Sequence, residues 1–138
     1  MDIQRQTDTY VASHPEPKRG DLQVLHDMII DAQPGCTRWF LDGKNEDGKI
    51  VSNPNIGYGT RTINYANGET REFYRIGLSA NGTGISIYIL GLDDKTHLAR
   101  TYGTTIGKAK VTGYCIRFKK LDDINIDTLR AAILDGLS

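Results

Sequence analysis

The chain predicts an α+β fold: a two-layer sandwich in which a mostly antiparallel sheet carries the N- and C-terminal helices on one face. Three observations predict it. Leu22, Leu25, Met28, Ile29 and Ala32 recur at offsets of three and four near the start of the chain, the pattern of a single buried helical stripe. Leu129, Ala132, Ile133 and Leu137 repeat that pattern at the end. Between them, β-rich runs are separated by Asn67-Gly68 and Asn81-Gly82, dipeptides that accept the positive φ angles of tight hairpin turns. Helices that flank such a meander bury their stripes against its apolar side.

Each element follows in order. A first short helix is expected from Thr7 to Ser13, ended by His14-Pro15-Glu16-Pro17. Pro17 suits the first position of a second helix, where its missing N–H costs nothing, and Pro34-Gly35 stops that helix. Residues 36 to 55 hold the turn dipeptides Asp42-Gly43 and Asp47-Gly48 and read as loop with at most short strands. A two-residue turn at Asn81-Gly82 sets Leu78 opposite Ile85, Ile76 opposite Ile87 and Tyr74 opposite Ile89, all on one buried face. Arg75, Gly77, Ser86, Tyr88 and Leu90 then share the other face. The first hairpin has two registers, with Ile63 facing Glu72 or Phe73. A short helix over DDKTHLARTYG has an Asp cap, with Leu98, Ala99 and Tyr102 inward and Gly103 as its stop. VTGYCIRFKK alternates as one strand, with Tyr114, Ile116 and Phe118 on one side and Cys115 and Arg117 on the other. The last helix takes Asn125 as cap, Asp127 against its dipole and Ile124 as a staple onto Leu129.

With 138 residues the chain has the length of one domain. Seventeen basic side chains balance seventeen acidic ones, which argues against a nucleic-acid binder, since these usually carry a basic excess. The start of the chain has no apolar core of signal-peptide length, and no apolar run approaches the ~18 residues of a membrane span. Cys36 and Cys115 make no disulfide framework, so the reducing cytoplasm is the expected address.

Three stretches carry a resemblance. YVASHPEPKRGDLQVLHDMIIDA near the start, NIGYG before the tyrosine-rich hairpins, and TGYCIRFKKLDDINIDTLRAAI at the end together resemble the YdhG-like family, a bacterial domain of unknown function. The resemblance spans nearly the whole chain as a single YdhG-like domain, residues 1–138. It implies a frataxin-like arrangement, with helices covering one side of the sheet. One member of that family has been proposed as a frataxin-like intracellular iron chaperone, and the family has no agreed catalytic residues to carry over. The KNEDGK stretch, residues 44 to 49, is an insertion relative to shorter relatives.

The chemistry that the residues allow is narrow. Gly57-Tyr58-Gly59 lacks the third glycine and the following helix of a dinucleotide loop, and reads as a turn entering the meander. Cys115 has no cysteine-protease signature around it and reads as a packed thiol. The histidines and cysteines lack zinc spacing, which leaves carboxylates as the only route to a metal. Asp21, Asp27 and Asp31 lie along the second helix, and Asp122, Asp123 and Asp127 cluster at the last cap, but Lys18, Arg19, Lys119 and Lys120 neutralise both neighbourhoods. Trp39 and Phe40 read as core or as pocket lining. The expected ligand surface is the sheet face with Arg75, Tyr88 and Arg117, rimmed by Asn55 and Tyr58, because guanidiniums beside tyrosine on a rigid sheet hold anions or a partner protein. The expected protein is thus a small cytoplasmic, non-catalytic binding or accessory domain. It has no catalytic or metal residues and no cofactor, nucleic acid or membrane partner. It takes a small anionic ligand or a protein, with a homodimer left open and the iron chaperone as the alternative.

Overall fold

Asp2 opens the first helix earlier than the sequence suggests: its carboxylate accepts the Arg5 N–H at 2.7 Å, so α1 runs Ile3–Ala12. The computed structural model describes residues 2–92 and 94–137. After the proline break, α2 (Lys18–Ala32) buries Leu22, Leu25, Met28 and Ile29 as its stripe requires, together with His26. Pro17 takes the cap position rather than the first helical one.

The strands are β1 (Arg38–Leu41), β2 (Asn55–Tyr58), β3 (Arg61–Asn64), β4 (Thr70–Phe73), β5 (Ile76–Asn81), β6 (Gly84–Ile89), β7 (Lys110–Thr112) and β8 (Cys115–Phe118). Six of them form a sheet in the order β1-β2-β5-β6-β8-β7, and β3 pairs with β4 apart from it. Every pairing is antiparallel. The segment expected to be mostly loop therefore contributes an edge strand, β1, and then a small turn in which Asn45 Oδ1 accepts the Asp47 and Lys49 N–H groups.

Both hairpin registers differ from expectation. In the first, Tyr58 faces Ile76 and Arg61 faces Phe73, so β2–β5 and β3–β4 share one register and form a single long hairpin bent in the middle. Its tip is a three-residue loop closed by Tyr65 and Glu69, with Gly68 at φ 89°, and Ile63 faces Arg71 rather than Glu72 or Phe73. In the second, the corner is Gly82-Thr83, because Asn81 Oδ1 accepts both the N–H and the hydroxyl of Thr83. Ile76 then faces Ile89, Leu78 faces Ile87 and Ala80 faces Ile85. The pairing moves by an even number of residues, so the faces survive; an odd slip would have reversed them. The expected single strand through Gly113 is also a hairpin: Gly113 turns at φ 51°, Thr112 pairs with Cys115, and Tyr114 is a corner residue.

Ile56, Tyr58, Ile76, Leu78, Ile85, Ile87, Ile89 and Ile116 are fully buried with Leu22, Leu25, Ile29, Leu129 and Ile133, and each such aliphatic side chain contributes about 1.5–3 kcal/mol. α3 (His97–Tyr102) buries Leu98 but leaves Ala99 exposed, contrary to expectation. Asp94 accepts from the Thr96 N–H before the first turn, and Asp93 lies outside the described residues. A 3₁₀ turn (Leu121–Asp123) leads to α4 (Ile126–Leu137), capped by Asn125 Oδ1 on the Asp127 and Thr128 N–H groups. α2 and α4 touch each other and both touch β5 and β6. A Cβ on Gly136 would stand 2.5 Å from Ile89 Cγ2, so glycine is what lets α4 lie this close to the strands.

Candidate functional site

The sheet face turned away from α2 and α4 is built of two cross-strand rows. One runs Trp39, Gly57, Gly77, Tyr88, Cys115, Thr112. The next contains Ser79, Ser86, Arg117 and Lys110, with Asn55 facing Leu41 at the β1 end. Small residues dominate the centre, and Tyr74 fills it. A Cβ on Gly57 would lie 2.7 Å from Tyr74 Cδ2, and one on Gly77 would lie 2.7 Å from Cε1. The phenol therefore rests flat in a trough made by the two glycines. Phe73 stacks on Tyr74 with ring centroids 4.2 Å apart, Trp39 meets Phe73 edge-on at 6.1 Å, and Trp39 Nε1 donates to the Gly59 carbonyl at 2.9 Å. Trp39 and Phe40 are half-buried.

Tyr74 was expected on the opposite face, against Ile89. The bend of the long hairpin at Gly59-Thr60 and Tyr74-Arg75 breaks strict alternation, with Gly59 at φ 75° taking the turn. Tyr74 thereby reaches the face turned away from α2 and α4, where it is itself buried, 5% exposed. Burial, then the neighbouring Tyr88 and Cys115, push its hydroxyl pKa up to about 12.

Arg75 moves the other way. Its Nε donates to the Thr60 carbonyl at 3.0 Å, and it lines a cleft with Gln33, Gly35, Cys36 and Thr37 just past the end of α2. Its Nη1 lies 3.2 Å from where a Cβ of Gly91 would be, and that point is 2.0 Å from the Gly136 carbonyl of α4. The guanidinium thus stands at the C-terminal ends of two helices, where their dipoles favour a cation. Tyr58, expected at the rim, is wholly buried on the helix side. Its hydroxyl is 2.6 Å from His26 Nδ1, and burial raises its pKa far above the usual phenol range. Burial, then Arg38, lowers the His26 pKa.

Of the five expected site residues, the structure therefore brings Tyr88, Arg117 and Asn55 to one face and places Tyr58 and Arg75 elsewhere. Asn55 Nδ2 donates to the Asn53 carbonyl at 2.9 Å, while its Oδ1 is buried without a hydrogen-bond partner. Arg117 Nε approaches Ser86 Oγ at 3.4 Å. Beside them Cys115 is half-buried, and burial pushes its thiol pKa up despite Arg117 and Ser86, which favour the thiolate.

The residue-level reading took Lys119 only as a neutraliser of the nearby aspartates and did not group Lys108, Lys110 and Lys119 with Arg117. Lys108, Lys110 and Lys119 share with it a cleft of about 570 Å³ that also includes Thr83 and Asp123. The signal was present in Lys-Ala-Lys and Arg-Phe-Lys on either side of Gly113-Tyr114. Reading that glycine as a turn would have paired Lys110 with Arg117.

Asp27 and Asp31 stay together in one cleft, whereas Asp21 and Asp127 are drawn to separate partners. Asp21 accepts the Leu121 N–H at 3.0 Å, Asp27 accepts from Gln23, and Asp127 sits 3.5 Å from Arg130. Among the described residues no three His, Cys, Asp or Glu side chains gather as a metal-holding group, and no helix is long and apolar enough to cross a membrane. No protein-family model, curated protein or solved structure matches the chain.

Proposed function

We propose that this protein is a small cytoplasmic, non-catalytic binding or accessory domain, and that its working surface is the sheet face opposite α2 and α4. The resemblance to the YdhG-like family, with its frataxin-like sandwich, agrees with a domain of this kind. One observation carries the reading: Tyr88, Arg117 and Ser86 occupy adjacent rows of a stiff antiparallel sheet, beside an aromatic group already locked by Trp39, Phe73 and Tyr74. A ligand there meets prepositioned groups and has little side-chain entropy to remove. The neighbouring Cys115 supports binding over covalent chemistry, because burial disfavours the thiolate a nucleophile needs.

A thermal-shift screen of carboxylate and phosphate metabolites tests the reading, since whatever binds only the folded state raises Tm. The expected result is a saturable rise that Tyr88→Ala and Arg117→Ala both abolish. A rise that survives both substitutions, or no rise with any compound, would sink the proposal.

A further inference from the structure

The β7–β8 hairpin sets Lys110 directly opposite Arg117, and both side chains are exposed. Like charges at facing positions destabilise an antiparallel ladder, whereas an opposite pair would support it. The arrangement is reinforced on both sides. Lys108 lies in the bend before β7 and Lys119 in the bend after β8, and both line the same cleft as Lys110 and Arg117. A single side-chain acid, Asp123, shares that cleft, with the Thr83 hydroxyl at its rim. Among the described residues, none of the four cations is in an ion pair. The cleft wall is held by backbone: the Lys108 N–H donates to the Asp123 carbonyl at 2.9 Å, and a Cβ on Gly84 would lie 2.5 Å from the Phe118 carbonyl.

From this geometry we infer that the cleft is a binding site for an oligophosphate group. The inference rests on the sheet-face reading, because Arg117 belongs to both. Lys110 and Arg117 enter the cleft from two paired strands and Lys108 and Lys119 from the bends beyond the strand ends, so the cations come from four backbone positions along the cleft. A single carboxylate satisfies one or two of them. A chain of phosphoryl groups presents several negative oxygens in succession, matching the forked guanidinium and the point charges of the lysines together. Such a ligand also relieves the repulsion between Lys110 and Arg117 that the empty hairpin carries.

The test is calorimetric titration of the whole protein with tripolyphosphate and with ATP, in the wild type and in Lys110→Glu, Lys119→Ala and Lys49→Ala. Lys49, in the turn after β1, removes one positive charge away from the cleft. The expected result is saturable binding of tripolyphosphate that weakens at least tenfold in Lys110→Glu and severalfold in Lys119→Ala, is unchanged in Lys49→Ala, and declines with added salt. Equal affinity for ATP supports the site and assigns it to a bare phosphate chain, and tighter ATP binding supports it and assigns a nucleotide. No tripolyphosphate binding, or equal weakening in Lys110→Glu and Lys49→Ala, overturns the inference. So does binding confined to a single-stranded oligonucleotide. A different sheet-face ligand that is lost in Tyr88→Ala but kept in Lys110→Glu also overturns it, while leaving the broader reading of the face intact.

Discussion

Tyr74 lies across Gly77 so closely that a Cβ there would meet its Cε1 at 2.7 Å and its hydroxyl oxygen at 2.9 Å. The glycine is a seat for the ring, and the ring is the lid of the seat. Gly77→Ala is expected to destabilise the fold by about 1–3 kcal/mol through overpacking. In Tyr74→Ala the same alanine is tolerated, so a double-mutant cycle by urea denaturation should show strong coupling between the two positions. Additive effects would mean that the ring does not occupy the trough.

The His26–Tyr58 pair joins α2 to β2 inside the core. With Tyr58→Phe the buried imidazole loses its partner, and a loss of about 1–3 kcal/mol is expected. The burial of His26, with Arg38 nearby, also sets a pH dependence. The folded-state pKa of His26 lies below its ordinary 6.5, so as the pH falls through 6.5 the unfolded chain takes up the proton first and stability declines. Denaturation curves between pH 7 and 5 should show that decline in the wild type, and it should be smaller in His26→Gln.

Asp135 accepts hydrogen bonds from His97 and Tyr102 at 2.6 and 2.7 Å, and these hold its carboxyl below the usual range. A depressed carboxyl contributes stability above its unfolded value of 3.8, and that contribution is lost as the pH falls through the lower folded value. Asp135→Asn should therefore flatten the acid limb of a Tm–pH profile below pH 4. The phenol of Tyr102, raised to about 12 by burial and then by Asp135, should in the same variant titrate at lower pH in ultraviolet difference spectra.

Lys110→Glu replaces a facing repulsion with an attraction to Arg117. In low salt and without phosphate it should stabilise the protein by about 0.2–1 kcal/mol, measured as a higher urea midpoint. Destabilisation would show that Lys110 and Arg117 do not feel each other across the ladder.

The two apolar stripes and the alternation of β5, β6 and β8 were legible in the residues, because helical and strand periods write burial directly into local order. The hairpin corners were not, since the second falls at Gly82-Thr83 instead of Asn81-Gly82. Leu129, Ile133, Ile85 and Ile87 are buried as that order demands. The site was legible only where strands stay regular, which is why Tyr88 and Arg117 fall on the expected face. It failed at Tyr58, whose commitment to His26 spans 32 positions of chain, and at the lysine cleft, where Gly113 turns inside a run that alternates perfectly well as one strand.

What local order determined was which segments are helix or strand and which of their sides are oily. What only the assembled molecule decided was the exchange of Tyr74 and Arg75. The hairpin bends where Gly59 takes a positive φ, Gly57 and Gly77 leave room for a ring, and the ends of α2 and α4 favour a cation. Each of these conditions is set by a different part of the chain, and the side chains change sides because all of them hold at one place.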